Sequence, residues 1–317
     1  MWISIKSYDC YRFWREMKER RVQGFTLLWE DVVRVFQVWV YVCLFCFFSF
    51  FAAAAASFFS FLLYKYICIM TNSSNIKITS WNVRGLRKIT KLKQVMSRIR
   101  HLKSKIIFLQ ETHLTFADLK RVQSRWPGQV IHACYNNYAR GVLILIHRTI
   151  PLQIVKTIQD PGGRYVIVQC NILSMTWNLV SIYGPNEDNP SFFKNIFLEL
   201  STMNGFFLLG GDFNCALNPT IDRSTGRDTG KTQTRESLKQ FIEDLNLVDV
   251  WRERNLDKKH YSCYSSTFKS HSRIDYFIVS RELLPKISEC WYNGIVISDH
   301  AAVSLKIQTN KIVHSPP

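Results

Sequence analysis

Apolar residues alternate between strand-like and helix-like spacing from residue 76 onward. Residues 76–83 read as a strand. Ile89, Leu92, Val95, Met96, Ile99 and Leu102 then recur every three or four positions with Lys and Arg between them, which predicts an amphipathic helix. Residues 106–109 form a short apolar run ending in Gln110-Glu111. Further strands are predicted at 140–147, 164–172 and 177–183, then a helix near 191–203. Residues 206–209 read as a buried strand ending in Gly210-Gly211-Asp212. Leu238, Phe241, Ile242 and Leu245 mark another helix, and strands at 274–279, 287–292 and 302–307 complete the pattern. Apolar strands alternating with helices imply an α/β domain with helix-covered sheets. No motif repeats internally, although two packed α/β halves fit the order.

Upstream of this region the texture is different. Residues 35–64 are 30 positions without Asp, Glu, Lys or Arg, nine of them Phe, with five consecutive Ala. As a helix this stretch would be about 45 Å long at ~1.5 Å per residue, enough to cross a bilayer. It begins too deep for an ordinary signal peptide. Two readings follow: a transmembrane helix, which would make the membrane a partner, or low-complexity translated sequence joined to a real domain. The expected organisation is an N-terminal extension (1–34), the hydrophobic segment (35–64), a linker (65–75), the α/β domain (76–308) and a tail (309–317).

Charge sharpens this division. The formal net charge is +17, and residues 1–75 hold 8 basic against 5 acidic side chains, leaving 33 against 19 in the remainder. A basic globular domain favours a polyanion, because Lys and Arg displace counterions condensed on phosphates. Solubility alone is the plainer explanation of such a charge. The nine cysteines show no disulfide-like framework, which suits a reducing compartment. The Cys43-x-x-Cys46 pair lies inside the apolar run, where a metal site is improbable.

The chemistry-bearing residues cluster where predicted strands end, the position at which α/β sheets place ligands. They are Asn82, Glu111, Tyr183, Asp212 with Asn214, Asp275, and Asp299-His300. Each alone has an ordinary explanation as a strand end, a helix cap, a turn residue or a core histidine. Their recurrence at separate strand ends is what points to a site.

The surrounding runs are SWNVRGL at 80–86, LQETH at 109–113, IYGPN at 182–186, GGDFN at 210–214, RIDYF at 273–277 and SDH at 298–300. In order and spacing they resemble the endonuclease/exonuclease/phosphatase superfamily that includes exonuclease III and the apurinic endonucleases. The wording is most similar to the endonuclease domain of LINE-type (non-LTR) retrotransposon polyproteins. The resemblance covers about three quarters of the chain and implies a four-layer α/β sandwich of two packed mixed sheets flanked by helices.

That resemblance also implies a Mg²⁺-dependent phosphodiesterase acting on the backbone of duplex DNA, with Mn²⁺ as a substitute. Glu111 matches the metal-binding carboxylate, and Asp299 is the second acidic contributor. Asp212 matches the group that orients or deprotonates water. Asn82 and Asn214 would hold phosphate oxygens or neighbouring acids, and His300 would hydrogen-bond the phosphate with Asp275 fixing its tautomer. Tyr183 would face the phosphate or leaving group. Ser262 matches a Thr or Ser near the phosphate, and Arg84 joins it as a substrate contact. No protein partner is implied, and work on chromosomal DNA implies the nucleus, or a membrane if 35–64 is an anchor.

Two departures bear on the substrate. Abasic-site enzymes usually carry Asp where this chain has Arg84, and they resemble one another in a longer aromatic segment where this chain has the short, polar 264–272 with Phe268 alone. Both favour nicking of intact DNA over abasic-site repair or exonuclease action. A membrane-tethered or inactive nucleic-acid-binding module would need either a working anchor at 35–64 or a lost catalytic group, and no loss is visible. Lipid or inositol-phosphate phosphodiesterases of the same superfamily fit the basic charge less well. A LINE polyprotein would continue into a reverse transcriptase, so the chain reads as a detached endonuclease domain.

Overall fold

In the computed structural model, which describes residues 75–308 apart from 173, 174 and 229, the chain enters through β1 (Asn75–Asn82). Helix α1 (Ile89–Leu102) returns it to β2 (Ile106–Gln110), which runs parallel to β1. A short α2 (Leu119–Gln123) precedes the antiparallel pair β3 (Gly128–Ala133) and β4 (Val142–His147). The second half repeats the scheme. Strands β5 (Leu152–Gln159), β6 (Tyr165–Ile172) and β7 (Met175–Tyr183) form a meander, and α3 (Pro190–Ser201) carries the chain to β8 (Phe206–Asp212), parallel to β7.

One turn of helix, α4 (Pro219–Asp222), leads to α5 (Thr232–Asp244), β9 (Leu247–Asp249) and α6 (Val250–Arg254). A two-stranded hairpin, β10 (Cys263–Ser265) and β11 (Ser270–Ser272), precedes β12 (Asp275–Ser280). Strands β13 (Ile287–Tyr292) and β14 (Val303–Gln308) return to the first half, so that the two six-stranded sheets have orders β13-β14-β1-β2-β4-β3 and β5-β6-β7-β8-β12-β9.

Period-two alternation inside continuously apolar strands explains the layering. Ile106 and Phe108 of β2 point to the inter-sheet core with Val168, Leu179, Leu208 and Phe277. Ile107 and Leu109, one position out of phase, join Leu92, Val95, Met96 and Ile99 of α1 in the outer layer. On the other sheet, Val180, Ile182, Leu209 and Ile278 pack beneath Phe193, Ile196 and Phe197 of α3 and Leu238 of α5. The result is the helix–sheet–sheet–helix sandwich. Gly210 leaves room for the Phe108 ring of the facing sheet and the Phe277 ring of the neighbouring strand, since a Cβ there would lie 2.6 Å from both.

Strands β3, β5, β9, β10 and β11 were not predicted from spacing. Most of β5 is exposed, and it pairs along one side only, as the edge of its sheet. Its sequence, LQIVKTIQ, therefore carries no one-sided apolar alternation. Segments 1–34 and 35–64, nearly all of the 65–75 linker and the 309–317 tail lie outside the described residues. Among the described residues, no helix is long and apolar enough to cross a membrane.

Candidate active site

Sheet register delivers the site residues in pairs. Asn82 ends β1 opposite Gln110, the last residue of β2, so Glu111 follows one step beyond the pair. Tyr183 ends β7 opposite Asp212, the last residue of β8. Asp275 begins β12 directly across the antiparallel ladder from Asp212. His300 arrives from the segment before β14 and makes a single bridge with Cys263 at the start of β10. Strand ends from both sheets therefore meet at one rim.

Asn82 links the two halves chemically. Its fully buried amide donates to Glu111 Oε1 at 3.0 Å and to Asp212 Oδ2 at 2.9 Å. Its carbonyl oxygen accepts the Arg84 N–H at 3.0 Å, so this side chain is fully committed to the protein. Between the two alternatives the sequence left open, the geometry has Asn82 holding neighbouring acids rather than phosphate.

Burial alone would raise the Glu111 carboxyl, but hydrogen bonds from His113, Asn82 and Tyr183 outweigh it and hold the pKa down at about 2. Tyr183 is driven the other way, well above the ordinary phenol range, by burial and by the negative charges of Glu111 and Asp212. It remains a protonated donor.

The second cluster is the run Asp212, His300, Asp275 and Ser262. His300 Nδ1 lies 2.9 Å from Asp275 Oδ2 and 3.1 Å from Oδ1, and its Nε2 faces Asp212 Oδ2 at 3.8 Å. Burial disfavours the imidazolium, yet Asp275 and Asp212 together keep His300 protonated well above the usual histidine range. Asp212 is pushed up to about 7 by burial and by the charge of Asp275, against the pull of His300 and the N–H groups of Asn82 and Asn214. The two groups face each other across 3.8 Å in a buried setting, too far for a direct hydrogen bond but close enough to perturb each other's protonation, as acid–base groups do.

Ser262 sits behind this cluster. Its side chain is fully buried, donates to Asp275 Oδ2 at 2.6 Å, and accepts the N–H groups of Ile274 at 3.0 Å and Asp275 at 3.1 Å. The expectation that Ser262 touches substrate is corrected: with no exposed surface it acts on Asp275 instead.

Asn214 also differs in detail from expectation. Its backbone N–H donates to Asp212 Oδ1 at 2.8 Å, while its side-chain amide donates to Gly184 O at 2.9 Å. It clamps the Asp212 turn to the Tyr183 turn. Asp299, expected beside the metal, is ion-paired with Arg84 and partly exposed. Arg84 itself is mostly exposed on the rim.

The backbone carries strain at this rim. Arg84 (φ 47°), Glu111 (φ 50°), His113 (φ 52°) and Asn214 (φ 51°) are all in the left-handed region, which disfavours residues with a Cβ. Hydrogen bonds from Gly85 N to Glu111 O at 2.6 Å, Thr112 N to Gly141 O at 2.9 Å and His113 N to Arg140 O at 2.9 Å hold the first two turns in place.

A profile of the endonuclease/exonuclease/phosphatase family matches residues 79–300. The chain belongs to this family. It is 28% identical over 240 residues to a transposon TX1 uncharacterized 149 kDa protein of Xenopus laevis, covering 73% of this chain and 18% of that one. It is 27% identical to an exodeoxyribonuclease of Bacillus subtilis (73% of this chain, 99% of the relative) and 26% identical to the DNA repair nuclease APEX1 of Danio rerio (74% and 82%). The chain therefore spans under a fifth of the transposon protein and nearly all of the bacterial enzyme. Among solved structures, an AP endonuclease from Leishmania major superposes with TM-score 0.63 at 19% identity, covering 74% of this chain and 88% of that one. A 3′ phosphatase from Neisseria bound to a product DNA hairpin gives 0.58 at 20% identity, covering 73% and 99%. These last two likenesses establish the fold.

As a member of the endonuclease/exonuclease/phosphatase family, the protein is a metal-dependent phosphodiester hydrolase, and its own residues fit a divalent cation. Glu111 is a fully ionised, partly exposed carboxylate whose position is fixed by three donors. Asp299 adds a second, partly exposed carboxylate that Arg84 already pairs with, and Lys91 brings a further positive charge near both. Hard oxygen donors with an open side suit a cation that keeps several waters. Among the described residues, the one group of three potential ligands is Asp212, Asp275 and His300, with donor atoms within 4.8 Å of one another. Those atoms already satisfy each other through the His300–Asp275 contact, so a hard cation is better served at Glu111.

Two residues of the site and its support have no role assigned from the sequence. His113 lies 3.6 Å from Glu111 and supports its charge. Arg273, fully buried, donates to Asp222 Oδ1 at 2.7 Å and pairs with Asp249 Oδ2 at 2.7 Å, which anchors the start of β12 two residues before Asp275. The LQETH and RIDYF runs contained both, but nothing in a linear pattern distinguishes a buried arginine from a surface one.

Proposed function

We propose that the protein is a Mg²⁺-dependent endonuclease that nicks one strand of intact duplex DNA, in the manner of a LINE-type retrotransposon endonuclease. The observation that carries this reading is the joining of two clusters by one amide: Asn82 holds the ionised Glu111 3.0 Å away and the proton-accepting Asp212 2.9 Å away. Hydrolysis of a phosphodiester needs an activated water, charge relief on the phosphorus and help for the leaving oxygen. Asp212, with its raised pKa, accepts the proton of the attacking water. His300, kept as imidazolium by Asp275, donates to a non-bridging phosphate oxygen. Tyr183 supplies a neutral phenolic donor on the opposite flank. Mg²⁺ at Glu111 would supply charge relief on the phosphate and on the departing 3′ oxygen.

DNA as substrate is supported by the basic balance of the domain and by the names of the relatives. Intact duplex is favoured by two local features. Arg84 occupies a rim position where the abasic-site branch carries an acid, and here it neutralises Asp299. The segment beside His300 is a short hairpin, β10–β11, presenting the exposed Phe268 and the Tyr264–His271 ring pair at 4.7 Å. A short hairpin suits reading of groove shape better than enclosure of an extruded sugar. Action on chromosomal DNA would call for a nuclear location, with the membrane as the alternative if 35–64 is an anchor.

A second reading, an exonuclease or abasic-site repair enzyme, is favoured by the near-complete span of the Bacillus exodeoxyribonuclease. One experiment separates them. The full chain with Mg²⁺ is given supercoiled plasmid, abasic duplex and a phospholipid panel. Open circles that vanish with EDTA and in Asp212→Ala support the nicking endonuclease. Selective cutting of abasic duplex moves the protein to the repair branch, and turnover of lipid alone sinks the nucleic-acid reading.

A further inference from the structure

Outside the catalytic set, Lys231 is one of several cations that bind backbone carbonyls of the rim. Lys231 precedes α5, and its Nζ donates to Asn214 O at 2.6 Å and to Pro185 O at 2.9 Å. Those carbonyls belong to the two turns that carry Asp212 and Tyr183. The same turns are already in close register: Gly184 N donates to Asp212 O at 2.7 Å, and a Cβ at Gly184 would lie 2.3 Å from Phe213 O. The start of α5 is itself tied to the tyrosine side. Thr234 N donates to Asp188 Oδ1 at 2.8 Å, and Asn189 N donates to Thr234 Oγ1 at 2.8 Å. Lys231 thus sits at the end of a rigid lever rather than on a free side chain.

We infer that Lys231 is a positioning residue for hydrolysis, its ammonium stapling the tyrosine turn to the Asp212 turn so that both groups face one phosphate. This rests on the proposed phosphodiesterase reading of the site. Burial lowers the Lys231 pKa, and nearby groups, Asp212 among them, offset this only in part. Two of its three N–H donors go to these carbonyls, and the side chain is only partly exposed. A methionine of similar length keeps the packing but leaves both carbonyls without their shared donor. Small displacements of reacting groups are expensive, with a shift of about 1 Å costing on the order of 10²-fold in rate.

The test uses the full chain with Mg²⁺ and compares wild type, Lys231→Met and Lys231→Arg. Plasmid nicking gives kcat, KM and the salt slope of binding, and thermal denaturation reports the fold. The expected result is a kcat lower by roughly 10- to 100-fold in Lys231→Met, with KM and salt slope unchanged and the fold retained. Lys231→Arg keeps the charge but moves the donors, so it should recover only part of that loss. A raised KM with kcat intact and a salt slope reduced by about 1 would overturn the inference, because Lys231 would then be a phosphate contact. Full kcat in a folded Lys231→Met would overturn it too. Should Lys231→Met fail to fold, Lys231→Arg decides alone, and wild-type kcat in that variant rejects the inference. A wild type that fails to nick plasmid refutes the intact-duplex nicking reading instead. The same comparison is then run on bis(p-nitrophenyl) phosphate, where an unchanged kcat in the variants rejects the positioning role.

Discussion

Replacing Ser262 by Ala should destabilise the protein and slow it without weakening substrate binding. The side chain has no exposed surface, so the substitution acts entirely through the protein. It deletes the 2.6 Å hydrogen bond to the Asp275 carboxylate, an interaction with a charged group worth about 1.5–3 kcal/mol. It also strips the acceptor from the Ile274 and Asp275 N–H groups, at 3.0 and 3.1 Å, and each buried unsatisfied donor costs about 1–3 kcal/mol. Relaxation and entry of a water recover part of this, so a net loss of roughly 3 kcal/mol is expected. For a domain of this size that corresponds to a Tm lower by about 6–12 °C. Freed on one side, Asp275 holds His300 less firmly, and kcat should fall by about tenfold at unchanged KM. Thermal denaturation of the full chain and steady-state plasmid nicking read both quantities. A Tm within a degree of wild type together with a raised KM would refute the reasoning and return Ser262 to the substrate.

The other expectations concern the catalytic groups directly. Asp212→Ala and His300→Ala should each lower nicking by about 10²- to 10⁴-fold while the fold is retained, and a near-wild-type rate in either removes its assigned role. Glu111→Gln should raise the Mg²⁺ concentration needed for half-maximal rate; an unchanged titration takes Glu111 out of the metal site. Asp212 works as a base only when deprotonated, and its pKa is raised to about 7, so the rate should climb with pH up to that region and level off above it. A cation bound nearby moves this limb downward, whereas a profile flat from pH 4 to 8 would exclude Asp212 as the base. Glu111, held at about 2 against an ordinary 4.5, stabilises the fold above pH 4.5. That contribution is lost as pH falls from 4.5 towards 2, which acid denaturation of wild type against Glu111→Gln would reveal.

Much of this protein could be read from linear spacing. The helix through Leu92, Val95, Met96 and Ile99 and the buried runs at 106–109 and 206–209 announce themselves, because a two-sided strand and an amphipathic helix impose different periods on apolar residues. The same holds for Asn82, Tyr183 and Asp212, which end strands, and for Glu111 one residue past β2, whereas Asp275, expected at the C-terminal end of a strand, begins β12 instead. Edge strand β5 was illegible because solvent on most of its length removes the pattern that betrays a strand.

What tertiary structure alone decided is which of these groups touch. Asn82 and Asp212 are 130 residues apart, and only the packing of two sheets turns one amide into a bridge between the Glu111 and Asp212 carboxylates. Ser262 looks like a phosphate ligand in sequence and is a buried brace for Asp275 in space. Lys231 and Arg273 are two basic residues among 41, distinguished by burial and by the carbonyls and carboxylates folded around them. Sequence periodicity records which side of an element is dry. It carries no record of the partner an isolated polar group meets there, because that contact is made across the sandwich after the elements have formed.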